Sequence, residues 1–212
     1  MAKIKAGILS KVSGKVAGVV GGTWKGTNYL RELVKPSNPN TPLQQAQRGK
    51  MAFVVASARQ VVGDVLNPYL NKFCKTMSGY NWFCRENIKR LGGDPLAFTS
   101  VPVLSFGTLG TGAIEADTLT NNEGIKLTAI PSVPAGHALK FVYGFVDKNG
   151  NWYNLGVQES PAVNTKYGRI DTIPLTGEQD IASVGFFADF DANGVLQAIS
   201  ASITEGFETI TF

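Results

Sequence analysis

The spacing of apolar residues changes character three times along the chain. Between Gly14 and Val34, glycines at 14, 18, 21, 22 and 26 interrupt a loose alternation of Val16, Val19, Val20, Trp24, Tyr29 and Leu33. So much glycine argues against a helix, and the alternation predicts two extended pieces, 15–20 and 23–33. A segment this poor in large side chains buries little of itself, so its pairing partner is expected in a neighbouring copy or another protein. Residues 1–13, basic and lightly apolar, extend it as an arm.

Pro36 and Pro39 then hold the backbone extended, because the residue before a proline is pushed out of the helical region. Thr41-Pro42-Leu43-Gln44 fits a helix start, with the threonine hydroxyl and glutamine side chain satisfying orphan amides. Met51, Val54, Val55, Ala58, Val61, Val62 and Val65 follow as one stripe at helical spacing. Pro68 is expected to close this helix. A second, over about 69–91, carries Tyr69, Leu70, Phe73, Met77, Phe83, Ile88 and Leu91, and Gly92-Gly93 stops it.

Beyond Pro95 the period shortens to two. Runs at Val101–Leu109, Gly124–Ile130, Ala138–Val146, Trp152–Val157, Ala162–Ile173, Ile181–Asp189 and Val195–Thr204 are separated by turn residues. Lys148-Asn149-Gly150-Asn151 and Ala192-Asn193-Gly194 are the clearest hairpin signals, since their central positions favour positive φ. Seven short strands predict an immunoglobulin-like antiparallel β-sandwich. The chain therefore reads as α+β: an extended Gly-rich basic N-terminal arm over 1–40, a helical hairpin over 41–93 and the sandwich over 94–212.

Charge divides the same way. Residues 1–92 hold 15 Lys/Arg against Glu32, Asp64 and Glu86, a net of +12, while residues 93–212 hold five against 13 Asp/Glu, a net of −8; together they give the chain's +4. Such halves suit copies that associate basic part to acidic part, or two faces of opposite sign on one monomer. With 43% hydrophobic and 17% charged residues the composition is that of a folded globular chain. No apolar run reaches the roughly 18–20 residues of a membrane span. Gly7, Lys11 and Gly14 interrupt any signal-peptide core, so export by the general route is not expected.

Catalytic chemistry is poorly supplied. Gly14-Lys15 lacks the earlier glycine of a phosphate loop, and no G-x-G-x-x-G occurs in the 14–26 stretch. The one histidine, His137, sits at a turn before a strand with no ligand cluster beside it. Asp189-Phe190-Asp191-Ala192-Asn193-Gly194 resembles the first half of a calcium loop, but Ser200 stands where the closing acid is needed, so a hairpin turn is expected. Cys74 and Cys84 read as free core thiols. No enzyme activity, metal or cofactor is expected. Trp24-Lys25-Gly26 and Tyr29-Leu30-Arg31 do set aromatics beside cations, as single-strand binders do, so non-specific nucleic-acid contact through residues 1–92 is the accompanying expectation.

Several runs carry a resemblance: Lys5–Leu9, Ser13–Val16, Gly21–Gly26, Tyr29–Arg31, and the series Pro36, Asn38, Pro39, Thr41 or Pro42, Gln44, Gln47-Arg48 with Phe53 beyond. They resemble an uncharacterised family found in Bacteroidota and their tailed phages, closely over residues 5–53 and loosely after that. Tyr80-Asn81-Trp82-Phe83-Cys84 departs from that family's helical middle. The resemblance implies no activity. Related proline–asparagine–arginine runs in phage structural proteins imply a virion component, present in the virion and, during assembly, in the host cytoplasm. The expected partners are copies of the chain and other virion proteins, with no membrane. Trp24, Lys25, Tyr29, Arg31, Asn38, Pro39, Gln44, Arg48 and Phe53 are the candidate subunit contacts; for the aromatics the alternative is burial in their own subunit. A tail or connector ring is the first expectation and a capsid-associated protein the second. The rivals are a DNA-associated packaging or injection protein and a bacterial surface adhesion module.

Overall fold

The computed structural model describes residues 2–4, 14–24, 27–35, 37, 40–110, 112–115, 124–168 and 176–211, and the chain divides into two units, Met1–Pro42 and Leu43–Phe212.

The first unit is a four-stranded antiparallel sheet. Its strands are β1 (Ala2–Ile4), β2 (Gly14–Val16), β3 (Val19–Trp24) and β4 (Thr27–Glu32), in the order β1-β4-β3-β2. The two extended pieces thus pair with one another within the chain, Val20 opposite Arg31 and Gly22 opposite Tyr29, where an outside partner was expected. Ala17, at φ +50°, and Gly18 make the tight reversal between β2 and β3. Cross-strand pairing gives glycine-rich strands their hydrogen bonds without needing a large apolar face.

The second unit begins with α1 (Pro42–Val61), one residue from the expected start. Val54, Ala58 and Val61 of the expected stripe are buried, whereas Met51 remains 44% exposed. Pro68 does not close the helix. Val62–Leu70 continues as a π-helical segment with Pro68 inside it, and Val65, Leu66, Tyr69 and Leu70 are buried. The wider turn relieves the clash between a proline ring and the preceding carbonyl that would break an α-helix. The second helix is therefore shorter than expected. α2 (Gly79–Asn87) starts at Ser78, whose side chain accepts a bond from the Asn81 amide, and a 3₁₀ turn follows over Ile88–Arg90. Its first residue must be glycine, since a Cβ at Gly79 would lie 2.8 Å from Leu70 Cβ and 2.9 Å from the Leu66 carbonyl.

The remaining strands are β5 (Leu91–Gly92), β6 (Ala97–Phe98), β7 (Ala113–Glu115), β8 (Ile125–Ala129), β9 (Ala138–Asp147), β10 (Trp152–Glu159), β11 (Lys166–Tyr167), β12 (Glu178–Phe190), β13 (Leu196–Ile199), β14 (Ile203–Thr204) and β15 (Glu208–Thr211). The main sheet runs β10-β9-β12-β13, with β14 and β15 also paired to β12; β11-β8-β7 form a second sheet and β5-β6 a ribbon. Both expected hairpins form, with Gly150 at φ +80° between β9 and β10 and Gly194 at φ +74° between β12 and β13. Part of the expected Ala162–Ile173 run lies outside the described residues. Among the described residues Val101–Leu109 forms no ladder strand; Leu109 makes an isolated bridge with Ser200, and the Ser202 amide donates to the Ser105 carbonyl. Side chains satisfy its backbone instead: Asn87 accepts from the Val103 amide at 2.7 Å, and Ser202 Oγ accepts from the amides of Leu104 and Ser105 at 2.8 and 2.7 Å.

The helices and the main sheet share one core. Alternate residues of β12 (Ala182, Val184, Phe186, Ala188) and of β9 (Val142, Val146) meet the helical side. Ile181, Phe187, Phe141 and Phe145 meet Ile114, Ile125 and Leu127 of the second sheet. Burying each such side chain contributes about 1.5–3 kcal/mol, so a strand apolar on both faces is worth most at this central position. The helices therefore form a layer on the main sheet, and the boundary expected at 93 does not separate them from it.

Candidate functional site

The N-terminal sheet has two unlike faces. Register partners share a face, and so do residues two apart on a strand. Lys15 opposes Val20, Val20 opposes Arg31, and Gly22 opposes Tyr29, with Trp24 two residues beyond Gly22. Lys15, Val20, Trp24, Tyr29 and Arg31 thus lie on one side. The other carries Val19, Thr23, Asn28, Leu30 and Glu32, where Thr23 Oγ1 donates to Asn28 Oδ1 at 2.6 Å. Trp24 is 70% exposed and Tyr29 half-buried. A Cβ on Gly22 would lie 3.0 Å from Tyr29 Oη and 3.1 Å from Cζ, so the hydroxyl end of the phenol ring reaches over the glycine.

Gln44 and Arg48 sit on the exposed first turns of α1, where with Gln47 and Met51 they line a shallow depression of about 380 Å³. Leu43 beside them is 84% exposed. Phe53 does not join this surface. It lies nine residues after Gln44 on the helix, packs edge-on against Phe98 at 5.3 Å, and is used inside its own subunit. Lys25, Asn38 and Pro39 lie outside the described residues. The structure thus brings Trp24, Tyr29 and Arg31 together on the sheet and Gln44 with Arg48 on the helix. Lys15 was missed, because a two-residue register cannot be read through glycines; the alternation of cations and aromatics was the available signal.

A larger cleft, about 550 Å³, opens where β9 begins and β12 ends, lined by His137, Lys140, Glu159, Ser160, Phe190 and Asp191 among others. Its charges are committed to one another. His137 Nδ1 lies 3.0 Å from both oxygens of the buried Asp189. Lys140 Nζ donates to Glu159 at 2.6 Å and stands 5.0 Å above the Phe190 ring. Asp191 caps the turn, accepting from the amides of Asn193 and Val195 at 2.9 Å each and from Gln197 at 2.7 Å. These bonds hold its carboxyl below the usual range, the Val195 amide foremost. The calcium-like run is thus a self-capped hairpin turn. Among the described residues no three His, Cys, Asp or Glu side chains gather as metal ligands would. Burial pushes the free thiols of Cys74 and Cys84 up, away from the reactive thiolate form. No described helix is long and apolar enough to cross a membrane.

What the fold defines is an α+β chain with a separate basic sheet at its front. Residues 11–91 match a family of unknown function, DUF6266, spanning most of that sheet and both helices. No curated protein and no solved structure matches the chain.

Proposed function

We propose that this chain is a structural subunit of a tailed-phage particle that assembles with copies of itself, in a tail or connector ring before a capsid-associated position. The observation that carries this reading is the N-terminal sheet, whose outer strands β1 and β2 each pair on one side only among the described residues. A unit as short as Met1–Pro42 rarely builds a sufficient core alone, and its described residues include a single buried one, Gly21. Unpaired strand edges are templates for a strand from a neighbour. The exposed Leu43, Met51 and Arg48 on α1 add an apolar and basic patch, which suits the acidic 93–212 half of another copy. The phage setting comes from the resemblance over residues 5–53.

The sheets support a finer reading of the fold. The order β7-β8-β11 against β10-β9-β12-β13 suits A-B-E against C′-C-F-G of an immunoglobulin-like sandwich, with the helices laid on the outer face of the main sheet. Such a sandwich is a carrier for surface contacts and supports a building block over a catalyst.

Native mass of the purified protein at low and high salt tests the assembly. A closed species of defined mass, lost or weakened in Arg48→Glu, is expected. A monomer under both conditions, and in the presence of other particle proteins, overturns the reading.

A further inference from the structure

We infer that the face of the N-terminal sheet bearing Lys15, Trp24, Tyr29 and Arg31 binds single-stranded nucleic acid by base stacking. This does not rest on the assembly reading, which uses the sheet's edges and the α1 surface.

Sheet register gives the face its chemistry. Lys15 and Arg31 flank Val20 in one row across three strands. The Gly22–Tyr29 row comes next, and Trp24 lies one row further along. Glu32, the one acid in residues 1–42, falls on the opposite side. Two cations at one end and two aromatic side chains at the other, with no acid on that face among the described residues, match a strand whose phosphates and bases can be engaged separately.

Two details favour a nucleic-acid strand over a protein surface. The hydroxyl end of the Tyr29 ring reaches over Gly22, which holds the ring close to the sheet on this face. A side chain at Gly22 would lift it. Trp24, at 70% exposure, offers a second ring on the same face. Protein interface cores are depleted in lysine, whereas sequence-tolerant strand binders interleave cations with rings, because every base has a π-face. A duplex keeps its bases stacked away from such a surface, so an unpaired strand is the ligand that fits.

The test is fluorescence anisotropy of a labelled oligo-dT with the full chain across a salt series. Micromolar or tighter binding at low salt is expected, with a hairpin duplex bound more weakly. Trp24→Ala and Tyr29→Ala should each weaken binding by about tenfold. Lys15→Ala with Arg31→Ala should flatten the slope of log affinity against log salt by about 1.4. Gly22→Val, which removes neither ring nor charge, should weaken binding by displacing Tyr29. Oligo-dT should also quench tryptophan emission in the native protein and not in Trp24→Ala, because Trp82 and Trp152 are buried. Far-UV circular dichroism matching the native protein secures the variants' fold. No binding at low salt overturns the proposal, as does unchanged affinity in the Trp24→Ala, Tyr29→Ala double variant. If these variants alter only the native mass, the face contacts a second copy and the proposal fails while the assembly reading stands.

Discussion

β3 and β12 are both antiparallel strands with a neighbour on either side, yet they use sequence in opposite ways. β12 reads EQDIASVGFFADF and is buried from Ile181 to Asp189, because helices cover one face and the second sheet the other. β3 reads VVGGTW and keeps only Gly21 buried, with Val19 41% and Trp24 70% exposed. Hydrogen-bonded pairing is common to both; burial is not. A strand covered on both faces needs apolar residues at successive positions. A strand that presents one face outward can spend its positions on glycine, aromatics and cations instead.

The sharpest way to break this contrast is truncation in each sheet. Phe186→Ala, which removes a fully buried ring packed edge-on against Tyr69 at 5.6 Å, should cost about 3–5 kcal/mol in urea unfolding. Trp24→Ala should stay within about 0.5 kcal/mol. Comparable losses would mean that the N-terminal sheet has a core of its own.

A second substitution asks whether the larger unit depends on polar satisfaction as well as packing. Asn87 is fully buried; its amide donates to the carbonyls of Val103 and Phe83 at 2.9 and 3.1 Å, and its oxygen accepts from the Val103 amide. Asn87→Leu strands that amide and should cost roughly 1–3 kcal/mol, again read from the urea midpoint. A neutral result would show that packing and the Ser202 bonds hold Val101–Leu109 without Asn87.

The smallest effect concerns Asp180, near the start of β12. Bonds from Lys148 at 2.7 Å and Thr209 at 2.6 Å hold its carboxyl below the usual aspartate range. A folded-state pKa below the unfolded one stabilises the fold above the ordinary aspartate range, and that contribution disappears as pH falls through the folded value. The site is partly solvated, so Asp180→Asn should cost under about 1 kcal/mol at neutral pH. The difference from the native protein should close in acid. A gap that persists there would assign the effect to the Thr209 contact and not to charge.

Much of the larger unit is legible in the residues. Pro42 and the Val54, Ala58, Val61 stripe mark α1, while Asn149-Gly150 and Asn193-Gly194 mark the two hairpins. The continuation through Pro68 is not legible, since a proline signals a break and the π-turn that accommodates it depends on what packs beneath. Nor is the start of α2, which Tyr69, Phe73 and Met77 obscure by keeping helical spacing through a turn. In the N-terminal unit glycine erases the alternation, so pairing within the chain was hidden although its aromatics and cations were plain. Phe53 shows the converse limit: an apolar residue next to a surface motif belongs to the core because of helix phase, not sequence distance.

The position of β12 also sets a timetable. α1 is complete once Val61 has been made, but Val184 and Phe186, which belong to the same core cluster as its apolar side, arrive only with β12. At translation rates of roughly 5–20 residues per second, the nascent helix waits on the order of ten seconds for that partner. Throughout that interval the core that Val54, Val61 and Leu66 share with β12 is incomplete. The N-terminal sheet, whose strands are all close neighbours in sequence, leaves the ribosome able to pair at once.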